Sequence, residues 1–269
     1  MKFMKYRALT AFDLDNTLLN DEKKIPAETV AALQRLRANG VLPVIATGRD
    51  RFEIADIIAA GQFDAIVSAN GADVYAEGRQ LHTTWLPAAT VQKLAAWADD
   101  RDVCVAFSNH VGVGMNRIND VVTTNYRKIR KPAPPVDPHF YHSQDVTKGL
   151  LFLADNDAGH RLETIVRAQF PTLTFYRNSI YCLDVAPKGT TKASGLNALR
   201  TGLHLDTAPI FAFGDGNNDV PMLSAADYGI AMGNAVPAAR AEADYVTDRY
   251  DQHGIVNALA HFGLLAPAQ

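Results

Sequence analysis

Ala8-Leu9-Thr10-Ala11-Phe12-Asp13-Leu14-Asp15-Asn16-Thr17-Leu18 decides how this chain is read. Ala8 to Phe12 is a short apolar run, the mark of a buried strand, and it stops abruptly in polar residues. Asp13, Asp15 and Thr17 alone are a weak signal, because Asp and Thr also cap helices at loop starts, and they gain weight from further polar clusters at strand ends. Outward from there, Pro26 is placed to open a helix through Val30, Leu33 and Leu36 that stops at Gly40. Val41 to Ala46 is a second buried strand, ending in Thr47-Gly48-Arg49. A helix through Ile54, Ile57 and Ile58 leads to a third strand, Ala65 to Ser68, ending in Asn70-Gly71. Strands alternating with helices predict a parallel sheet with right-handed crossovers.

The rhythm then changes. Asp73 to Ala76 and Leu81 to Trp85 flank Glu77-Gly78-Arg79-Gln80 as a hairpin, and a helix follows from about Pro87 to Asp99. Val103 to Ser108 and Val111 to Asn116 read as paired strands turning at Asn109-His110, before a short helix around Ile118 to Tyr126 and a basic, then proline-rich, stretch from Arg127 to Pro138. Leu150 to Leu153 is a strand, Asp157 to Gln169 a helix, and Leu173 to Tyr176 with Tyr181 to Val185 a strand pair. This segment predicts an antiparallel sheet with helices on one face, a second domain of a different class. The βα rhythm resumes with a helix from Thr190 to Leu203. Strand Pro209 to Phe213 then ends in Gly214-Asp215-Gly216-Asn217-Asn218-Asp219. Short strands near Gly229 to Ala231 and Tyr245 to Val246, and a helix from His253 to Phe262, complete the chain. The fold class is α/β with an inserted α+β domain, divided as 1–83, 84–186 and 187–269.

Bulk composition narrows the setting. The 269 residues are 48% hydrophobic and 20% charged, an ordinary globular balance for one large domain or two modest ones. A net charge of -3 gives no electrostatic reason to expect nucleic acid or an anionic membrane as partner. Cys104 and Cys182 sit in apolar stretches as buried thiols and form no disulfide framework, which favours a reducing cytoplasm. The basic start, Met1 to Arg7, lacks the apolar core and cleavage site of a signal peptide. No apolar stretch approaches the roughly 20 residues of a membrane span.

Three polar clusters end three expected parallel strands: Asp13 to Thr17, Thr47 to Arg49, and Gly214-Asp215 with Asn218-Asp219. Ligands bind outside the carboxyl ends of such strands, so all three can face one crevice. Asp13, Asp15 and Asp215 would make a patch of hard oxygen donors suited to Mg²⁺. A carboxylate beside a phosphoryl group is a feasible nucleophile, since an aspartyl phosphate splits hydrolysis into two easier steps. Asp13 is that candidate, and Asp15 would protonate the leaving alcohol and then deprotonate water. Thr17 offers a hydroxyl to orient the nucleophile or contact phosphate. Thr47 and Asn218 can donate to phosphate oxygens. Lys192 is the candidate fixed cation, although Lys188 flanks the same helix start.

Together these residues resemble the haloacid dehalogenase superfamily. Asp13-Leu14-Asp15-Asn16-Thr17-Leu18 is similar to its first motif and Thr47-Gly48-Arg49 to its second. Lys192 within Lys188-Gly189-Thr190-Thr191-Lys192-Ala193 is similar to the third, and Gly214-Asp215 with Asn218-Asp219 to the fourth. Asn70-Gly71-Ala72, Ala231-Met232-Gly233-Asn234-Ala235, Ala243 to Thr247 and Gly254-Ile255-Val256 resemble its Cof-type hydrolases, subfamily IIB, which include sugar phosphatases. The resemblance implies a Rossmann-like core, a type C2 cap inserted between the second and third motifs, and an aspartyl-phosphate mechanism with Mg²⁺. It implies metal binding by Asp13, Asp215 and the Asp15 backbone carbonyl, with Asp219 supporting the metal shell. It further implies phosphate binding by the Leu14 backbone, Thr47, Gly48, Lys192 and Asn218. Family spacing favours Lys192 over Lys188. Asn178, Ser179 and Tyr181, in a cap loop, and Arg49, which can also simply brace its own loop, are the specificity candidates.

Other motifs fall away. Gly112-Val113-Gly114 has Arg117 where a dinucleotide fingerprint needs glycine, and it lies in a strand pair. His139 and His142 have no partner ligands nearby, and Arg127, Lys128, Arg130 and Lys131 read as a solvated face, with the sharper option of reaching a second anionic group on the substrate. The expected function is Mg²⁺-dependent hydrolysis of a small phosphorylated metabolite, a sugar phosphate foremost. A phosphoryl transferase or mutase on the same intermediate, and a non-catalytic phosphometabolite-binding protein, are the alternatives. Oligomeric state is not legible.

Overall fold

Residues 6–129 and 131–266 are described in the computed structural model; residues 1–5 of the basic start and Arg130 of the basic run lie outside them. The chain divides into one unit of Met1–His82 with Thr191–Gln269 and a second of Thr83–Thr190.

In the first unit the chain runs β1 (Ala8–Phe12), α1 (Ala27–Ala38), β2 (Val41–Ala46), α2 (Ala55–Gly61), β3 (Ala65–Ser68), β4 (Asp73–Ala76) and β5 (Arg79–Thr83). The second unit contributes α3 (Ala88–Asp99), β6 (Cys104–Ser108), β7 (Val113–Met115), α4 (Asp120–Lys128), α5 (Phe140–Ser143), β8 (Lys148–Phe152), α6 (Asp157–Gln169), β9 (Leu173–Ser179) and β10 (Cys182–Pro187). The first unit then resumes with α7 (Lys192–Gly202), β11 (Ile210–Gly214), α8 (Val220–Ala225), β12 (Tyr228–Ala231), α9 (Pro237–Ala241), β13 (Tyr245–Val246) and α10 (Gly254–His261).

The first unit is built on one eight-stranded sheet in the order β13-β12-β11-β1-β2-β3-β4-β5. Strands β13 through β3 pair in parallel and β4 joins antiparallel. Every residue of β1, β2 and β11 is buried because both faces of the sheet are covered, which is why these strands read as continuous apolar runs. Phe12, Ile45 and Phe213 share one core with Leu33 and Leu36 of α1 and Ile255 and Leu259 of α10. Leu9, Ala11, Val44 and Ala212 share the other with Leu196 and Leu199 of α7 and Met222 of α8. From β1 the chain first winds toward β2 and β3, and only after the insertion does it return as β11 on the other flank. The strand order therefore reverses between β1 and β11, the position at which open α/β sheets bind ligands.

The second unit is a five-stranded antiparallel sheet, β7-β6-β8-β10-β9. Its helices do not all lie on one face. Val91, Leu94 and Ala98 of α3 and Val166 of α6 pack with Val105, Phe107, Leu151 and Leu183. Val122 of α4 packs with Cys104, Ala106, Phe152 and Cys182, the alternate residues of the same strands and hence the opposite face. Both cysteines are free and buried there.

Several boundaries differ from expectation. The turn after β4 is only Glu77-Gly78, both at positive φ (52° and 77°), so β5 starts at Arg79; a two-residue turn of this kind matches the twist of the flanking strands. The short helices α5, α8 and α9 have too few residues for a helical period to register. No helix among the described residues is long and apolar enough to cross a membrane.

Candidate active site

The β1–β11 ladder carries the first two carboxylates to one place. Phe12 pairs with Phe213, their rings 4.9 Å apart beneath the site. The Asp13 N–H then donates to the Phe213 carbonyl at 2.9 Å, extending the ladder one step past the strand. The loop after Asp13 is anchored by Leu14, Leu18 and Leu19, all at most 1% exposed. Leu18 and Leu19 donate back to the Asp13 and Leu14 carbonyls at 3.1 and 2.9 Å. The buried Leu14 side chain and these two backbone hydrogen bonds together pin the loop.

Asp13, Asp215 and Asp219 come together, with one oxygen of each within 4.8 Å of the others. Lys192, fully buried at the first turn of α7, reaches both Asp13 Oδ1 (2.5 Å) and Asp219 Oδ1 (2.6 Å). The exposed Lys188 lies before the turn that leads to α7. Of the two lysines flanking that helix start, Lys192 is the one at Asp13. Thr191 caps α7 through Ser194, fixing the direction in which Lys192 leaves the helix. Asp219 Oδ2 accepts the N–H groups of Asp215 and Gly216, each at 2.9 Å, so Asp219 has both oxygens engaged and shapes the loop that presents Asp215.

Three carboxylates gather near a single ammonium that bonds only two of them, and the electrostatics reflect it. Burial, then Asp219, pushes the Asp13 carboxyl up against the pull of Lys192. Burial and Asp219 likewise raise Asp215 to about 6. Burial opposes the Lys192 charge, yet Asp13 and Asp219 hold it above its ordinary value. A buried group of oxygen donors with surplus negative charge fits a hard divalent cation. Asp13 and Asp215 are the residues that would hold it.

Asp15 sits apart from this cluster. Its carboxylate takes a bidentate pair from Arg49 (Nε to Oδ2 at 2.9 Å, Nη2 to Oδ1 at 2.6 Å) and a third bond from Lys23 Nζ at 2.9 Å. Partial burial works to raise its pKa, but Arg49 and then Lys23 outweigh it and hold the carboxyl below the usual range. Arg49 therefore braces Asp15. Thr17 donates to Asp215 Oδ1 at 3.2 Å, orienting that carboxylate where the sequence left the choice of nucleophile or phosphate.

Thr47 is buried, and its Oγ1 accepts the Arg49 N–H at 3.1 Å. A Cβ on Gly48 would stand 3.1 Å from Asn70 Oδ1. Asn218 Nδ2 donates to that same Asn70 oxygen at 3.1 Å. Asn178, Ser179 and Tyr181 lie in the second unit, at the β9–β10 hairpin. Asn178 donates to Asp184 Oδ1 at 2.9 Å, and Ser179 Oγ to Asn125 Oδ1 at 2.5 Å. Tyr181 accepts from Lys128 Nζ at 3.4 Å.

Three residues were missed as site residues. Lys23 carries no motif signal. Asn70 and Asn234 stood in stretches read only as family likeness. Asn234 Nδ2 donates to the Asn16 carbonyl at 3.0 Å and to Asp215 Oδ2 at 3.3 Å, tying the β1 loop to the β11 loop. Each asparagine follows a short buried strand, and that placement is the signal that could have found them.

Comparison with known proteins identifies the family. The family model for haloacid dehalogenase-like hydrolases matches residues 10–259. YkrA of Bacillus subtilis (strain 168), which bears a provisional phosphatase name, is 31% identical over 258 residues, covering 96% of this chain and 98% of that protein. The HMP-PP phosphatase of Escherichia coli O6:H1 (strain CFT073) is 31% identical over 237 residues, 87% of each chain. Among solved structures, the subclass IIB sugar phosphatase BT4131 superimposes with a TM-score of 0.83 at 28% identity, over 96% of this chain and 99% of its own. With that match and with its motif residues gathered at the strand reversal, the chain belongs to the haloacid dehalogenase-like hydrolase family, as a phosphatase of the Cof-type, subclass IIB branch.

Proposed function

We propose that this phosphatase removes phosphate from a small phosphorylated metabolite of the sugar-phosphate class, with Mg²⁺ as cofactor and Asp13 as nucleophile. The observation that carries the reading is the Lys192 ammonium bonded to both Asp13 and Asp219, fully buried, beside Asp215 at the ends of β1 and β11. Held by Asp13 and Asp215, with the Asp15 carbonyl, Mg²⁺ would supply positive charge against which two anions can approach. Lys192 holds Asp13 in place and favours its ionised form against burial and Asp219, a pull to which the metal ion would add. An Asp13 oxygen attacks phosphorus as the bond to the leaving oxygen breaks, and Asp15 delivers a proton to that oxygen. Ionised Asp15 then takes a proton from water, the water oxygen attacks phosphorus, and the bond to Asp13 breaks to release phosphate. The pairing of Asp15 with Arg49 and Lys23 favours the ionised form needed in this second half. Thr47, Gly48, Asn218 and the Leu14 backbone are the proposed phosphate holders. In this reading residues 84–186 are the type C2 cap, and its Asn178, Ser179 and Tyr181, together with Arg49 of the first unit, are the specificity candidates. The buried free cysteines suit a cytoplasmic setting.

The test is hydrolysis of para-nitrophenyl phosphate and a panel of sugar phosphates, with Mg²⁺ or with EDTA. Turnover should require the metal, and Asp13→Asn should abolish it with the fold intact. Appreciable activity in Asp13→Asn would sink the mechanism.

A further inference from the structure

The loop after β3 has an uncommon backbone. Ala69, Asn70 and Gly71 all hold positive φ, at 49°, 53° and 100°. For residues carrying a Cβ this region costs about 1–2 kcal/mol each, and such strain persists only where the surroundings enforce it. Here they do, from three sides. The Ala69 N–H donates to the Arg49 carbonyl at 3.0 Å and the Asn70 N–H to the Thr47 carbonyl at 2.9 Å. On the second side, a Cβ on Gly71 would fall 2.0 Å from the Thr191 carbonyl, and one on Gly195 would fall 2.7 Å from the Gly71 Cα. The loop is therefore seated directly on the first turn of the helix that carries Lys192. On the third side, the Asn70 side chain, 2% exposed, accepts from Asn218 and abuts Gly48.

We propose that Asn70 is a positioning residue for the phosphate site: the left-handed loop registers the Thr47–Arg49 turn, the Lys192 helix and the β11 loop against one another, and Asn70 Oδ1 orients the Asn218 amide toward phosphate. Asparagine suits the place because its short side chain tolerates the left-handed region. It is also long enough to cross from the β3 loop to the β11 loop. The inference rests on the phosphate-holding role given to Asn218 above.

A double-mutant cycle tests it. Loss of one neutral hydrogen bond is worth about 0.5–1.5 kcal/mol, or roughly 2- to 13-fold in an equilibrium constant. Asn70→Gly retains access to positive φ. It should raise the KM for para-nitrophenyl phosphate and the inhibition constant of inorganic phosphate by about 3- to 10-fold, with kcat changed less. Asn218→Ala should do the same, and Asn70→Gly/Asn218→Ala should be no worse than Asn218→Ala alone, because Asn70 acts through Asn218. An unchanged phosphate inhibition constant, or losses that multiply in the double variant, would overturn the proposal. Should Asn70→Gly not fold, Asn70→Ala carries the same cycle, as the adjacent Ala69 already holds a left-handed backbone. Appreciable turnover by Asp13→Asn would instead refute the phosphatase mechanism itself, so the two failures are separable.

Discussion

Replacing Lys192 by methionine removes the cation from the acidic cluster and keeps most of the buried stem. Each ion pair, at 2.5 and 2.6 Å, is worth about 6 kcal/mol at an effective dielectric of about 20. Against this stand the desolvation of a fully buried ammonium, several kcal/mol, and the mutual repulsion of Asp13 and Asp219. Breaking a buried pair by removing one partner costs about 3–5 kcal/mol net. At roughly 2–4 °C per kcal/mol for a chain of this size, metal-free Lys192→Met should melt about 6–20 °C below the wild type at pH 7.5. The loss should shrink toward pH 5, where Asp13 and Asp215 take up protons more readily, and Mg²⁺ should restore part of it. Turnover should fall by about 100-fold or more, the scale of losing one transition-state charge donor. Circular-dichroism melts in EDTA and with Mg²⁺ measure the stability change, and para-nitrophenyl phosphate hydrolysis the rate. Lys188→Met, at an exposed position, is the control and should leave both unchanged. A metal-free Lys192→Met protein melting within about 2 °C of wild type at pH 7.5 would refute the claim that this ammonium holds the cluster together.

Other outcomes follow from the same geometry. Asp215 is raised to about 6 from an unfolded value near 4, so the folded state retains a proton there that the unfolded chain has released. Its contribution to stability therefore declines as pH rises through that window, and the melting temperature of Asp215→Asn relative to wild type, both in EDTA, should climb between pH 4 and pH 6.5; a constant difference would contradict the assignment. Metal binding must displace that proton, so the thermal shift produced by Mg²⁺ should be larger at pH 7.5 than at pH 5, and an equal shift at both would count against carboxylate ligation. Arg49→Gln removes the largest charge lowering the Asp15 carboxyl. As the acid of the first half-reaction Asp15 must carry a proton, so the basic limb of the kcat/KM profile should then move to higher pH, and an unmoved limb would exclude Asp15 as the group it reports.

Much of the site was legible because its chemistry is local in sequence. A short apolar run broken by Asp13-Leu14-Asp15 states both a buried strand and a reactive end, and the same pattern recurs at Thr47 and Asp215. What each polar group touches was not legible. Arg49 stood as a specificity candidate or a brace, and the fold turns it onto Asp15. Thr17 was expected near nucleophile or phosphate, and it donates to Asp215. Asn70 and Asn234 look like ordinary turn asparagines until the strands on either side are placed. In the inserted unit, short apolar runs marked β6 and β8 as strands, but such a run does not say which helix covers which face, and α4 took the one opposite α3 and α6.

The sequence by itself determined the α/β class, the interrupted core and the residues able to carry the chemistry, because strand ends, helix starts and turn residues are written in short-range patterns. Only the tertiary structure decided that β11 lies against β1, which brings Asp215 to Asp13, and that α7 enters beside them and delivers Lys192 between Asp13 and Asp219. Those juxtapositions span about two hundred residues of chain. They depend on which strands pair across the sheet, a choice made by burial of both sheet faces and by the handedness of the crossovers.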